Sequence, residues 1–273
     1  MLNQGNDRKL SMSDIQIRFD NGAAYEDYMG KWSQLAGERF VEWLAPASGA
    51  RWLDVGCGNG AFTEMLVARC APSSLAGVDP SAEQLLFARQ RPALALAQLQ
   101  TGDAMALPYA DGTFDYAVMP LVIFFVPQPA RGVAEMKRVL LAGGIAAAYA
   151  WDLHGGGFPY HTLRQAINEL GYTVPAPPSP EASRIECLQA LWQDAGLSEV
   201  QTTVIEVQRT YASFDDYWRI VLGGPSVGAT LASMAAGDAD TLKAQLRASL
   251  PTAADGSITY SARAHAVKGR VPG

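Results

Sequence analysis

The rhythm of apolar positions changes twice along this chain. Between residues 19 and 44, Tyr25, Tyr28, Trp32, Leu35, Phe40 and Trp43 recur at helical spacing. That spacing predicts one or two helices, ending at Ala45-Pro46 because proline cannot continue a helix. From residue 50 onward, short apolar runs alternate with amphipathic ones. The runs predict a strand at Arg51–Val55, a glycine-rich turn at Gly56–Gly60, a helix at Ala61–Arg69 and a strand at Ser74–Val78 followed by Asp79. A helix at Ser81–Arg91, ended by Pro92, leads to strands at Leu96–Thr101 and Phe114–Leu121. A helix at Ala130–Leu140, ending near Gly143-Gly144, precedes a strand at Ile145–Ala150. Such alternation implies an α/β fold, a parallel sheet with helices on both faces.

After Trp151 the alternation stops. Asp152–Pro180 is rich in Gly and Pro and holds one short helix near His161–Leu170. A helix at Ala182–Ala195, closed by Gly196, and a strand at Val200–Thr210 follow. Phe214–Leu250 reads as mainly helical, broken at Gly223-Gly224-Pro225, and a last strand runs over Ile258–Val267. The expected organisation is a frayed or disordered tail at 1–18 and a single domain over 19–273. That domain has about seven strands and two inserted helical cap segments, at about 152–180 and 212–252.

Composition narrows the class. The 273 residues are 49% apolar and 18% charged, the profile of a globular protein. A net charge of −6 argues against a nucleic-acid partner, since phosphate binding needs a basic face. The longest apolar run, Tyr116–Val126, falls short of the ~20 residues a bilayer-spanning helix needs. The N-terminal residues lack the apolar core of a signal peptide. Cys57, Cys70 and Cys187 are odd in number, form no CxxC pair and have no metal-ligand spacing. No metal is expected, and a reducing, cytoplasmic location is.

The chemistry concentrates in Leu53-Asp54-Val55-Gly56-Cys57-Gly58-Asn59-Gly60. A buried strand runs into three alternate glycines, and a helix begins. Glycines allow positive φ and close approach of a ligand to the backbone. The helix N-terminus offers free N–H groups to a carboxylate. Asp79, ending the next strand, stands where an acid binds ribose hydroxyls. A dinucleotide turn would read G-x-G-x-x-G. Here the spacing is G-x-G-x-G and Asp54 precedes it; that carboxylate would repel a pyrophosphate but attract an ammonium or sulfonium. The turn therefore suits a nucleoside joined to an amino acid. Gly102-Asp103-Ala104 follows the third strand at the same rim, where Asp103 can accept from an adenine amino group or simply cap its own turn.

LDVGCGNG, VDPS, GDAMALPYADGTFDYAV and RVLLAGG, in that order and spacing, resemble the successive motifs of class I S-adenosylmethionine-dependent methyltransferases. The chain is most similar to the group that includes the ubiquinone and menaquinone biosynthesis enzymes. The resemblance covers about residues 36–150. It implies a Rossmann-like, mostly parallel seven-stranded sheet of order 3-2-1-4-5-7-6, with the seventh strand antiparallel. It implies that Gly56, Gly58 and Gly60 shape the methionine pocket and that Asp54 sits by the amino group. Asp79 would hold the ribose, Pro80 would lie near the adenine, and Asp103 and Ala104 would meet the adenine edge. Met119, Pro120 and Leu121 would line the passage to the methyl, and Tyr28 would close over S-adenosylmethionine. The chain departs from the family pattern at Ile123–Pro127, where members often carry histidines.

Methyl transfer from a sulfonium is an in-line displacement that needs positioning more than acid, base or metal. An oxygen or nitrogen acceptor can need a base, and His154 and His161, in the segment after strand five, are the candidates; His265 reads as structural. Phe158, Tyr160, Phe214, Tyr217 and Trp218 would give the cap segments an apolar lining for a small or lipophilic acceptor. Against this stand a protein or RNA methyltransferase, disfavoured by the acidic balance, and a catalytically silent S-adenosylmethionine-binding module. Such a module has little use for the full set of glycines and Asp79.

Overall fold

The computed structural model describes residues 26–235 and 237–273. The expected tail and Tyr25 lie outside the described residues. Seven strands form one sheet: β1 (Arg51–Val55), β2 (Ser74–Asp79), β3 (Gln98–Thr101), β4 (Phe114–Pro120), β5 (Leu140–Trp151), β6 (Ser198–Tyr211) and β7 (Ile258–Arg270). Their order is β3-β2-β1-β4-β5-β7-β6, as the resemblance implied. The first five are parallel, and β7 runs antiparallel between β5 and β6. All five parallel strands thus end at one rim, and the order reverses between β1 and β4. That switch point is where open α/β sheets leave a crevice.

Helices follow from the periodicity. A π turn (Glu26–Gly30) leads into α1 (Lys31–Leu44), which buries Trp32, Ala36, Phe40 and Leu44 at four-residue spacing. It stops at Ala45, in the left-handed region at φ 47°, whose N–H donates to Val41 O. The helices α2 (Ala61–Cys70) and α3 (Ala82–Arg89) follow β1 and β2, and α4 (Pro129–Val139) follows β4. Next come α5 (His161–Glu169) and α6 (Ile185–Asp194), then α7 (Phe214–Leu222), α8 (Pro225–Ala232) and α9 (Asp238–Ser249) between β6 and β7.

Strand alternation divides the core in two. On β5, Ala147, Tyr149 and Trp151 face one cluster with α1, α2 and the inserted helices. Ala146, Ala148 and Ala150 face the other, with Val133 and Met136 of α4 and Trp192 of α6. Trp32, Trp52, Trp151 and Trp192 are all fully buried, each side chain of that size contributing upwards of ~2 kcal/mol.

Three boundaries differ from expectation. The helix expected to end near Gly143-Gly144 ends at Val139, and those glycines lie inside β5. Phe114 pairs with Leu140 but Tyr116 with Ile145, so the extra residues bulge out, with Gly143 at φ 78°. The expected helix over 182–195 is a 3-10 turn at Pro180–Ser183 and then α6, separated by Arg184 in extended conformation. Strands β6 and β7 run longer because they pair with each other from Ser198–Arg270 to Tyr211–Ile258.

Candidate active site at the rim of β1, β2 and β4

The glycine turn is pinned to the neighbouring strand. Gly56 N–H and Cys57 N–H both donate to Val78 O, at 2.7 and 3.1 Å. Gly56 (φ 78°) leaves no room for a side chain, since a Cβ there would lie 2.5 Å from Val122. Gly60 (φ 80°) is closed in the same way by Leu94, at 2.6 Å. Gly58 (φ 52°) is different: nothing lies within 4 Å of its missing Cβ. Two of the glycines thus serve packing, and the middle one opens onto the crevice.

Asp79 is locked against this turn. Its Oδ2 accepts from Gly58 N–H at 2.8 Å and its Oδ1 from Ser81 N–H at 2.8 Å. Burial raises its pKa and the two N–H bonds oppose the rise. Each carboxylate oxygen can still accept a further hydrogen bond, as a ribose diol would require. Gly102 N–H donates to Asp79 O at 3.2 Å, bringing the Asp103 loop to the same place. Asp103 is exposed, and its Oδ1 accepts from Met105 N–H at 2.8 Å, so the residue does cap its own turn. Pro80 is exposed beside Asp79, and Ala104 is half-buried.

Asp54 lies below the turn with no solvent exposure. Thr63, in the first turn of α2, donates to its Oδ2 at 2.7 Å, while Oδ1 has no hydrogen-bond partner. Burial pushes the carboxyl up to about 7; the Thr63 bond opposes that, and the Asp79 charge adds to it. A buried acceptor oxygen without a donor, beneath a turn open to ligand, fits a cationic amino-acid ligand better than an anionic one. Thr63 was not foreseen in the sequence; its place in the first helical turn after the glycines was the available signal. The Cys57 thiol, buried beside both carboxylates, is pushed far above its usual range and is inert.

The end of β4 is split. Met119 is fully buried, and its side chain joins the core under α4 instead of the passage expected for it. Pro120 is buried as well. Leu121 adopts φ 58°, its N–H bound to Tyr149 O at 2.8 Å. A non-glycine residue in the left-handed region stores strain, and here it aims Val122 at Gly56.

Tyr28 is buried in the π turn. Its ring stacks on Tyr160 at 4.1 Å and 6°. Its carbonyl accepts from the Tyr160 hydroxyl at 2.6 Å and from Arg209 Nη1 at 3.4 Å. The ring is thus taken up by the first inserted segment. Among the described residues, neither candidate histidine is hydrogen-bonded to the glycine turn. His154 Nε2 pairs with Glu181 at 3.2 Å, and the His161 ring lies over Gly156. His265, on β7, has its Nδ1 2.8 Å from Ser183 O in the 3-10 turn, a structural position.

A doubly wound sheet with an acid-flanked glycine turn at its switch point defines a nucleoside-binding α/β protein. The methyltransferase domain family matches residues 53–148. The 2-phytyl-1,4-naphtoquinone methyltransferase of Nostoc punctiforme is 30% identical over 60% of this chain and 74% of its own length. The chloroplastic 2-methyl-6-phytyl-1,4-hydroquinone methyltransferase 2 of Oryza sativa is 41% identical over 35% of this chain and 28% of its own. The chain spans between 28% and 64% of the length of four of the curated relatives it matches. In fold it is similar to Haemonchus contortus phosphoethanolamine N-methyltransferase 2, solved with S-adenosyl-L-methionine: TM-score 0.57, 17% identity, covering 92% of this chain and 56% of that one. The chain belongs to the class I S-adenosylmethionine-dependent methyltransferases. Within them it is similar to the ubiquinone and menaquinone biosynthesis group.

Proposed function

We propose that the protein transfers a methyl group from S-adenosylmethionine to a small lipophilic acceptor, on O, C or N. The observation that carries this reading is the glycine turn with Asp79 locked to Gly58 and the unpartnered Asp54 oxygen beneath it. Asp79 would hold the ribose, the open side of Gly58 would admit the methionine part, and Asp54 would balance its positive charge. The Asp54 carboxylate is sealed from solvent, so it acts through the field or a bridging water. The Gly102–Ala104 loop and Pro80 would frame the adenine.

When bound, the donor supplies a methyl already activated on a sulfonium. The chain's own task is to hold the acceptor in line and exclude water, which can supply much of the rate. We assign the inserted segments after β5 and β6 to the acceptor. The aromatic residues they bury and the quinone-type substrates in the relatives' names support a lipophilic molecule. The net charge of −6 supports a small molecule over a nucleic acid. No helix among the described residues is long and apolar enough to cross a membrane. The three free cysteines support a reducing, cytoplasmic setting.

Calorimetric titration with S-adenosylmethionine and S-adenosylhomocysteine tests the reading. Wild type should bind both in the micromolar range, and Asp79→Asn should weaken binding at least tenfold while remaining folded by circular dichroism. Folded wild type that binds neither ligand would overturn it.

A further inference from the structure

Half-buried arginines in this protein are matched to acids. Arg51 pairs with Asp115, Arg91 with Glu64, Arg138 with Glu135 and Arg263 with Asp152. Arg164, on α5 in the first inserted segment, breaks the rule. Its Nη2 donates to the carbonyls of Pro175 at 3.1 Å and Val174 at 3.5 Å. No carboxylate lies against it among the described residues. Its guanidinium stands 5.5 Å from the Phe158 ring, and its charge is felt by Tyr28. Arg209, a buried arginine without an acid in contact among the described residues, is accounted for: it donates to the Asp27 and Tyr28 carbonyls and lies 4.7 Å over the Tyr211 ring. Arg164 lies farther over its ring than Arg209 does, and its Nε and Nη1 make no hydrogen bond among the described residues.

On the same side of the sheet, buried indole donors are also unanswered, at Trp52 and at Trp151. Trp151, the last residue of β5, is buried in the same apolar cluster against which Phe158 packs, and its indole Nε1 has no partner. Buried N–H groups in native proteins are nearly always paired, and a half-buried cation without an acid gives up part of its hydration with no opposite charge to offset it. Both donors belong to the side of the sheet that carries the inserted helices. What this region lacks is an acceptor-only group with negative charge. Carboxylate matches a guanidinium fork best, by two parallel N–H···O bonds.

We infer that the methyl acceptor is an apolar molecule bearing a carboxylate, and that Arg164 recognises that group under the inserted helices. The inference rests on the methyltransferase reading and narrows it, since it separates this protein's acceptor from a neutral quinol. Benzoate and benzamide have the same shape and differ in charge, so they make the test. Protein saturated with S-adenosylhomocysteine is titrated with each, for wild type, Arg164→Met and Arg164→Lys. Wild type should prefer benzoate at least tenfold. Arg164→Met should lose the preference with S-adenosylhomocysteine affinity unchanged, and Arg164→Lys should keep part of it. A guanidinium that merely ties Val174–Pro175 to α5 would lower thermal stability in Arg164→Met and leave the preference intact, which overturns the inference. Equal binding of the two probes, or no saturable benzoate binding, overturns it as well. Failure of S-adenosylhomocysteine to bind wild type would instead strike the methyltransferase reading.

Discussion

Asp54 carries a charge that the free protein holds reluctantly. With its carboxyl raised to about 7, it is mostly protonated at pH 6 and mostly ionised at pH 8. A ligand with an ammonium group favours the ionised form, so binding draws the pKa down and releases a proton. Affinity for S-adenosylhomocysteine should therefore fall about tenfold from pH 8 to pH 6. Asp54→Asn should bind more weakly at pH 8 and lose that part of the pH dependence, whatever the ligand's own titration adds to both. Equal slopes for the two proteins would remove Asp54 from the site. The sign for stability is opposite: a raised folded pKa stabilises the free protein at low pH, and this is lost as pH rises through 7. The placement of Asp54, Asp79 and the glycines was legible in the sequence because all of them lie at strand ends or the turn of one short β–α–β stretch. Two facts were not: that Asp54 is sealed under Thr63, and that Met119 turns into the core. Both depend on which face of the sheet a helix covers, which spacing alone does not fix.

Element types follow from hydrophobic period, and most strands and helices were readable for that reason. Gly143-Gly144 was misread because a glycine just beyond an amphipathic run satisfies the local rule for a helix stop. In the fold that pair serves a bulge instead, a decision made by the β4–β5 register. The junction of β5 and β7 shows another long-range decision. Asp152, just beyond β5, is buried; its Oδ2 accepts from Arg263 on β7 at 3.0 and 2.6 Å, and its Oδ1 from Gly155 N–H at 2.6 Å. Burial alone would raise its pKa, but these bonds, with His265 at 3.9 Å, hold it below the usual carboxylate value. Arg263→Met leaves that carboxylate without its cation. The loss should be roughly 2–3 kcal/mol, at the low end for a broken buried pair because Arg263 is 37% exposed. Urea unfolding at pH 7 measures it. A depressed folded pKa stabilises above the unfolded value and fades below it, so the gap to wild type should narrow as pH falls. An unchanged gap at acid pH would mean that the loss came from packing.

Across the whole molecule, three distant parts of the chain meet at Tyr28. The Tyr160 ring from the first inserted segment stacks on its ring, and the Tyr160 hydroxyl takes its carbonyl. Arg209 at the end of β6 supports the same carbonyl. From the second inserted segment, Gly224 comes so close that a Cβ there would lie 2.8 Å from the Tyr28 ring. No sequence window contains these partners, and their meeting rests on the order of the edge strands, which the family resemblance supplied and periodicity did not. The arrangement makes the N-terminal turn depend on the inserted helices. Tyr160→Phe isolates the dependence, because phenylalanine keeps the stack and removes only the hydroxyl. The hydroxyl also stands against Tyr211, whose own oxygen accepts from Trp32 at 3.2 Å, so a part of that network goes with it. A buried hydrogen bond of this kind is worth about 1 kcal/mol net, or roughly fivefold in an opening equilibrium. Amide exchange over residues 27–32 should quicken by about that factor while β1, β4 and β5 keep their protection. A uniform rise across the sheet would instead indicate general destabilisation, and unchanged exchange would mean that Arg209 alone holds the turn. If the turn covers the donor, S-adenosylhomocysteine affinity in Tyr160→Phe should fall by a similar few-fold, with a faster off-rate, because a looser cover releases the ligand more readily than it hinders entry.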